Sequence, residues 1–481
     1  MLMNPNGFHI SPLYYNGPLM MLARWLVMVA LAATPLLADL EGYLRAEMEL
    51  NHIPGLALAV VRDGRLAYTR AFGVRSLATG EPMTDQTPVE LASVSKSFTA
   101  LAVLDLERQG RLDLDLPVAT YLPEFGAGAG DDRSRITVRH LLGHTSGLSR
   151  RRDSLMACCG DGGEFDLPVA LRKLATSRPV RPPGARFAYA NSNYVLLAAL
   201  VERLGALPFP EYLRRRVFDP LGLTRTTLDP AEARSWGLSE SHEWQWGRVR
   251  ISPSHYKGWY GASLVKSSAA DMGRYLAAWL AGGPAPLPAA GWWNRPEPRR
   301  YEAGWFLRPR ADWLDRALAL EHGGDIWGGN TAVVFAPQLR AGVVVLLNVG
   351  TDRAGPIAHA ALRQVAGLSL PPPAVSGSEI PDYWAIRFTA AAGLLLAGLA
   401  LYLLRVLSQF RRRQRRFAPA RPAILRAVVL VLLAAYLLFL MAGPVPLEIF
   451  PTTMKVALPL LASSVAALLL AAAAVGLAPR R

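Results

Sequence analysis

The hydrophobic pattern alternates in strand fashion over Leu56–Arg62, as larger and smaller apolar residues, and again over Leu66–Phe72, with Asp63-Gly64 between them. Alternation sends successive side chains to opposite faces of a strand, and Asp-Gly suits a two-residue turn, so the pair predicts a β-hairpin. Ahead of it, Leu40–Leu50 reads as a helix that Ile53-Pro54-Gly55 ends. A second hairpin is predicted from the apolar runs Thr331–Ala336 and Gly342–Asn348, around Pro337-Gln338. The stretch YEAGWFL from Tyr301 also reads as strand. Between these ends, residues 94–280 carry mainly helical spacing broken by Gly and Pro. Strands at both ends and helices between them imply an α+β fold. One antiparallel sheet is built from both termini and flanked by helices, with a helical lobe beside it.

Three further runs, Phe388–Leu407, Ala423–Met441 and Val456–Leu477, are apolar over nearly the ~20 residues that span a bilayer. They raise the hydrophobic content of the 481-residue chain to 51% and predict about three transmembrane helices. The net charge of +15 is then explained without nucleic acid. Its densest cluster, RRRQRRFAPARP from Arg411, falls between the first two runs, where the positive-inside rule puts a cytoplasmic loop. The N-terminal residues 1–38 read as a leader and signal peptide, with Arg24 before a short apolar stretch and Ala38 at the cleavage point. The expected organisation is a folded domain over 39–367, a Pro/Ser linker over 368–387 and a membrane region over 388–478. The folded domain is expected on the periplasmic or extracellular side of the cell membrane. The two cysteines, Cys158 and Cys159, are adjacent in a Gly-rich stretch and close no ordinary disulfide loop. No Cys/His spacing suggests a metal, and no cofactor is expected.

The candidate chemistry begins at Ser93-Val94-Ser95-Lys96, ahead of a helix whose apolar stripe is Ala100, Val103, Leu104 and Leu106. Serine and lysine three positions apart on a helix share a face, and the helix dipole favours negative charge developing on Ser93 Oγ. Ser-x-x-Lys is a nucleophile signature, and two more patterns follow it in order. Tyr189-Ala190-Asn191 lies between a Pro-Pro-Gly turn and a helix with Leu196, Leu197, Leu200 and Val201 on its apolar side. His322-Gly323-Gly324 stands just ahead of the second hairpin.

With these three motifs the sequence resembles the serine β-lactamase and penicillin-binding-protein superfamily, nearest to its class C and D-amino-acid-peptidase/esterase branch. The resemblance covers roughly 40–365. It implies an acyl-enzyme on Ser93, proton transfer by Lys96 and Tyr189, and substrate contacts from Asn191, His322, Gly323 and Gly324. It also implies an oxyanion hole from the backbone N–H groups of Ser93 and Asp325. Peptide, amide or ester substrates follow, small molecules or cell-wall-derived, with the lipid bilayer as the other partner. The third motif departs from its lysine form. His322 is mostly neutral at pH 7 and Asp325 adds negative charge, so an esterase, amidase or aminopeptidase is favoured over a β-lactamase or carboxypeptidase. A penicillin-binding sensor and a non-catalytic binding protein are the alternatives. Ser95 reads as a structural hydroxyl, and His140 and His144 as packing and capping residues. His242 and His255 read as rim residues, and Lys257 and Lys266 as solvated.

Overall fold

The computed structural model describes residues 39–125, 132–148, 171, 174, 179–245, 248–252, 260–281, 301–326, 328–376 and 408. The leader, the cysteine pair, His255, Lys257, the Arg411 cluster and the three long apolar runs lie outside the described residues. Among the described residues, no helix is long and apolar enough to cross a membrane.

Seven antiparallel strands form the central sheet. They are β1 (Gly55–Arg62), β2 (Arg65–Gly73), β3 (Tyr301–Glu302), β4 (Trp305–Ala311), β5 (Ala317–Ile326), β6 (Gly329–Ala336) and β7 (Ala341–Leu347), in the order β2-β1-β7-β6-β5-β4-β3. The two predicted hairpins are β1–β2 and β6–β7, and they meet where Leu56 pairs with Leu347. Polar alternation survives only in the edge strand β2. Strand β1 is covered on both faces, with Leu56, Leu58 and Val60 in one core and Ala57, Ala59 and Val61 in the other.

The first core holds α1 (39–50) and α5 (Ala354–Val365), which close one face of the sheet. The second holds α4 (Ala269–Ala281) and the helical lobe, including α2 (Ser95–Arg108) and α3 (Asn191–Gly205). Helix α2 is buried nearly all round, from Ser95 to Val103 and again at Asp105 and Leu106. A helix hydrophobic on all sides is an internal helix, which explains why the expected single stripe understates its burial.

The expected linker differs from the structure at its start. Leu368 and Leu370 pack on the α1–α5 core. Ala374 N–H donates to Glu47, Asn51 Nδ2 donates to the Ala374 carbonyl, and Ser376 N–H donates to Asn51 Oδ1. Glu47 is itself buried against Arg353, at 2.8 and 3.0 Å. The proline run limits backbone freedom, so the segment is fixed by a few contacts.

Candidate active site

Ser93 sits in the 3-10 turn Ala92–Val94, which leads directly into α2. Three contacts fix that turn. Leu91 N–H donates to Val265 O, Thr331 Oγ1 donates to Leu91 O, and Val265 N–H donates to Ser95 Oγ. Ser95 is thus the structural hydroxyl expected. Gly324 allows β5 to come this close, because a β-carbon there would collide with Leu91 O and Thr331 Oγ1.

One helical turn on, Lys96 is fully buried. Its Nζ lies 3.0 Å from Ser93 Oγ and 3.0 Å from the carbonyl of Ala262. Both of these partners are uncharged groups, a hydroxyl and a backbone carbonyl. Tyr189 presents its ring to the same amine, 4.8 Å from Nζ to the centroid. Asn191 is the first residue of α3. Two segments distant in sequence therefore bring Ser93, Lys96 and Tyr189 together, and Asn191 begins the helix that follows Tyr189.

His322 lies on the inward side of β5. His322, Gly324 and Ile326 are buried, whereas Gly323 and Asp325 are exposed. Strand β4 pairs with β5 only as far as Glu321, so beyond that residue this edge of β5 carries no strand partner among the described residues. The ring nitrogens of His322 face the Gly323 carbonyl at 2.7 Å and the Tyr301 hydroxyl at 3.0 Å. Both ring nitrogens of His322 thus have partners inside the protein. Burial, with Lys96 opposing a second positive charge, lowers its pKa to about 3.

The carboxyl of Asp325 is pushed up to about 6 by the surrounding protein and by Asp352. An acid with a raised folded pKa binds its proton more tightly when folded. The stability this adds is complete below the unfolded pKa and is lost as pH rises through about 6. Asp325→Asn should therefore raise thermal stability at pH 8 and do little at pH 4. Solvent reaches this side chain and screens it, so the gain is on the order of 1 kcal/mol. Equal effects at both pH values in thermal melts would contradict this.

His144 and Tyr301 were not among the expected site residues. His144 is fully buried, with its ring 4.3 Å from that of Tyr189 and 4.6 Å from that of Tyr301. Its Nδ1 accepts from Ala190 N–H at 3.3 Å and from Asn193 Nδ2 at 2.9 Å. Asn193 Oδ1 takes the Ser146 hydroxyl, which fixes the amide and puts the histidine proton on Nε2. Burial, Lys96 and His322 hold this imidazole neutral. Its carbonyl also accepts Ala188 N–H, so His144 seats the loop that carries Tyr189. Its left-handed backbone, φ 53°, in a loop of small residues was the available signal. His140 completes a capping box with Thr137, as expected.

Two other expectations change. His242 is no rim residue: it is fully buried, with Nδ1 donating to Asn348 O and Nε2 accepting from Leu77 N–H. Lys266 is buried, not solvated, because it pairs in register with Glu90 and its Nζ donates to Leu264 O.

Comparison with known proteins agrees with this geometry. "Protein flp" of Staphylococcus aureus (strain N315) is 23% identical over 324 residues, covering 65% of this chain and 63% of that protein. "Penicillin-binding protein 4" of Amycolatopsis lactamdurans is 32% identical over 256 residues, covering 49% of this chain and 62% of that protein. The chain thus spans less than two thirds of either relative. Among solved structures, the octameric penicillin-binding protein homologue from Pyrococcus abyssi matches with a TM-score of 0.60 and 24% identity, over 74% of this chain and 81% of that one. The hydrolase with promiscuous acyltransferase activity EstCE1 matches at 0.59 and 21%, over 70% and 99%. At these identities the structural likeness shows the fold. The family model described as Beta-lactamase matches residues 40–367, the span that builds both lobes and every residue of the cluster above. The chain belongs to the beta-lactamase family.

Proposed function

We propose that this protein is a membrane-anchored serine hydrolase that works outside the cytoplasm through an acyl-enzyme on Ser93. The observation that carries the reading is the 3.0 Å contact between Ser93 Oγ and the fully buried Lys96 Nζ. The hydroxyl proton leaves to Lys96 or to a Tyr189 phenolate as Oγ attacks the carbonyl of an amide or ester. The tetrahedral oxyanion is met by the backbone N–H groups of Ser93 and Asp325, each donor worth several kcal/mol at the transition state (about 2.7–4). The proton returns to the leaving amine or alcohol, and water later cleaves the acyl-enzyme. Asn191 holds the substrate amide. A neutral third motif supports ester, amide or aminopeptidase-like substrates over the carboxylate-bearing ligands of β-lactamases. Anchoring is supported by the three apolar runs and the Arg411–Arg416 cluster.

One experiment addresses both halves. The full chain is expressed in a bacterial host, and spheroplasts are treated with a membrane-impermeant fluorophosphonate. A single adduct on Ser93, formed without lysis and absent from Ser93→Ala, is expected by mass mapping. An adduct that persists in Ser93→Ala would remove the nucleophile assignment. Labelling that needs lysis would overturn the orientation.

A further inference from the structure

Tyr301 and His322 form a couple that the acyl-transfer steps above leave unused. The Tyr301 hydroxyl is 3.0 Å from Nε2, and Nδ1 is 2.7 Å from the Gly323 carbonyl. A carbonyl only accepts, so the ring proton of the neutral imidazole sits on Nδ1. Nε2 is then a bare acceptor and the phenol donates to it. Tyr301 is 1% exposed and His322 2%, so water competes at neither end. Tyr301 reaches this place from the edge strand β3, where Phe306 lies edge-on at 4.8 Å and the His144 ring at 4.6 Å. The hydroxyl has little freedom to turn away.

We propose that Tyr301 is a specificity-determining positioning residue. By donating to Nε2 it adds to the burial and the opposing Lys96 charge that keep His322 neutral, so the site lacks the cation that a lysine would supply in the third motif. The enzyme then accepts uncharged acyl groups and discriminates against acyl groups that carry a carboxylate. This deepens the acyl-enzyme reading and rests on it.

The groups facing His322 set the direction of the argument. Lys96 comes from α2, Tyr189 from the segment before α3, His144 from the segment after the short helix Val138–Leu142, and Tyr301 from β3. Glu321 precedes it on β5, and Asp325 lies three positions further along that strand. Lys96 opposes a charge on the ring. Glu321 favours one, but it is engaged by Arg308 at 2.6 Å and by His359 at 2.8 Å. Asp325 points to the other side of the strand. Removing the phenolic hydroxyl takes away a hydrogen bond that the neutral ring accepts, which moves the ring toward protonation.

The test uses the full chain and two esters of equal length, p-nitrophenyl butyrate and mono-p-nitrophenyl succinate. The readout is the ratio of kcat/KM for the carboxylated ester to that for the neutral one, at pH 5.5 and pH 8. The wild type should give a low ratio at both, lower at pH 8, where Asp325 has ionised. Tyr301→Phe should raise the ratio about tenfold at pH 5.5 and leave it unchanged at pH 8, the change expected for a charge gained near the acyl group. Tyr301→Phe with His322→Gln should return it to the wild-type ratio. Ring-nitrogen NMR of 15N-histidine-labelled protein, assigned with His322→Gln, gives the second readout. His322 should show a protonated Nδ1 and a bare Nε2 across this range, and should bind a second proton in Tyr301→Phe. A ratio unmoved in Tyr301→Phe, or a gain that survives His322→Gln, overturns the proposal. Failure of the acyl-enzyme reading looks different: the wild type would turn over neither ester and take no fluorophosphonate on Ser93.

Discussion

Replacing Lys96 with alanine should cut kcat by roughly 10²–10⁴-fold, and Tyr189→Phe should cost a comparable factor. The double variant should lose little more than either one alone. Lys96 Nζ touches Ser93 Oγ and also sits over the Tyr189 ring, so one proton path runs through both side chains. Groups that act as a unit give strongly non-additive losses, because removing either one ends the same step. The adduct on Ser93 should also form more slowly in each variant, while a substrate that needs no proton removal from Ser93 would bind unchanged. Steady-state and burst kinetics on one ester check this. Full additivity of the two losses would mean that Lys96 and Tyr189 serve separate steps.

Gly304→Ala should damage both the fold and the site. Gly304 joins β3 to β4 with φ +87°, and an added β-carbon would strike Ser97 Cα and stand 2.7 Å from Ser97 N. These are backbone atoms in the first turn of α2, one residue from Lys96, so no side chain can swing aside. The left-handed backbone costs about 1–2 kcal/mol and the overlap about 1–3 more. A fall in stability of about 2–5 kcal/mol is expected, with kcat/KM down at least tenfold as α2 shifts. Gly110→Ala is the control, since its φ is +68° with nothing within 4 Å of the added carbon. It should show the backbone cost alone and retain full activity. If denaturant melts give the two variants the same loss, the packing of Gly304 on α2 is not what holds Lys96 in place.

The sequence carried those parts of the site whose residues announce themselves by spacing. Ser93 and Lys96 are one helical turn apart, and the hairpins around Asp63-Gly64 and Pro337-Gln338 have local turn chemistry. The parts it hid depend on contacts between distant segments. The tautomer of His144 is set by Asn193, itself fixed by Ser146, and nothing in a histidine flanked by glycine and threonine indicates that partner. Tyr301 was read as the start of a strand, yet its hydroxyl decides what His322 can do. Burial misled in the same way. An Ala/Leu alternation in β1 looks like one buried face, but two layers of helix cover both. Lys266 and His242 were placed by residue type, whereas the structure gives them backbone partners from distant segments, Leu228 O for Lys266 and Asn348 O and Leu77 N–H for His242.

The docking of residues 374–376 onto Glu47 and Asn51 has a mechanical consequence. Any tension applied to the chain beyond Ser376 enters the domain through α1 and α5. There it is borne in shear by several hydrogen bonds together with the buried Glu47–Arg353 pair at 2.8 Å. The sheet stands between that anchorage and the Ser93–Lys96–Tyr189 cluster, whose helices pack on the opposite face. A pull strong enough to peel the strap would lengthen the tether before it strained a single bond angle in the cleft. The catalytic geometry is in this sense insulated from whatever the C-terminal end is fastened to.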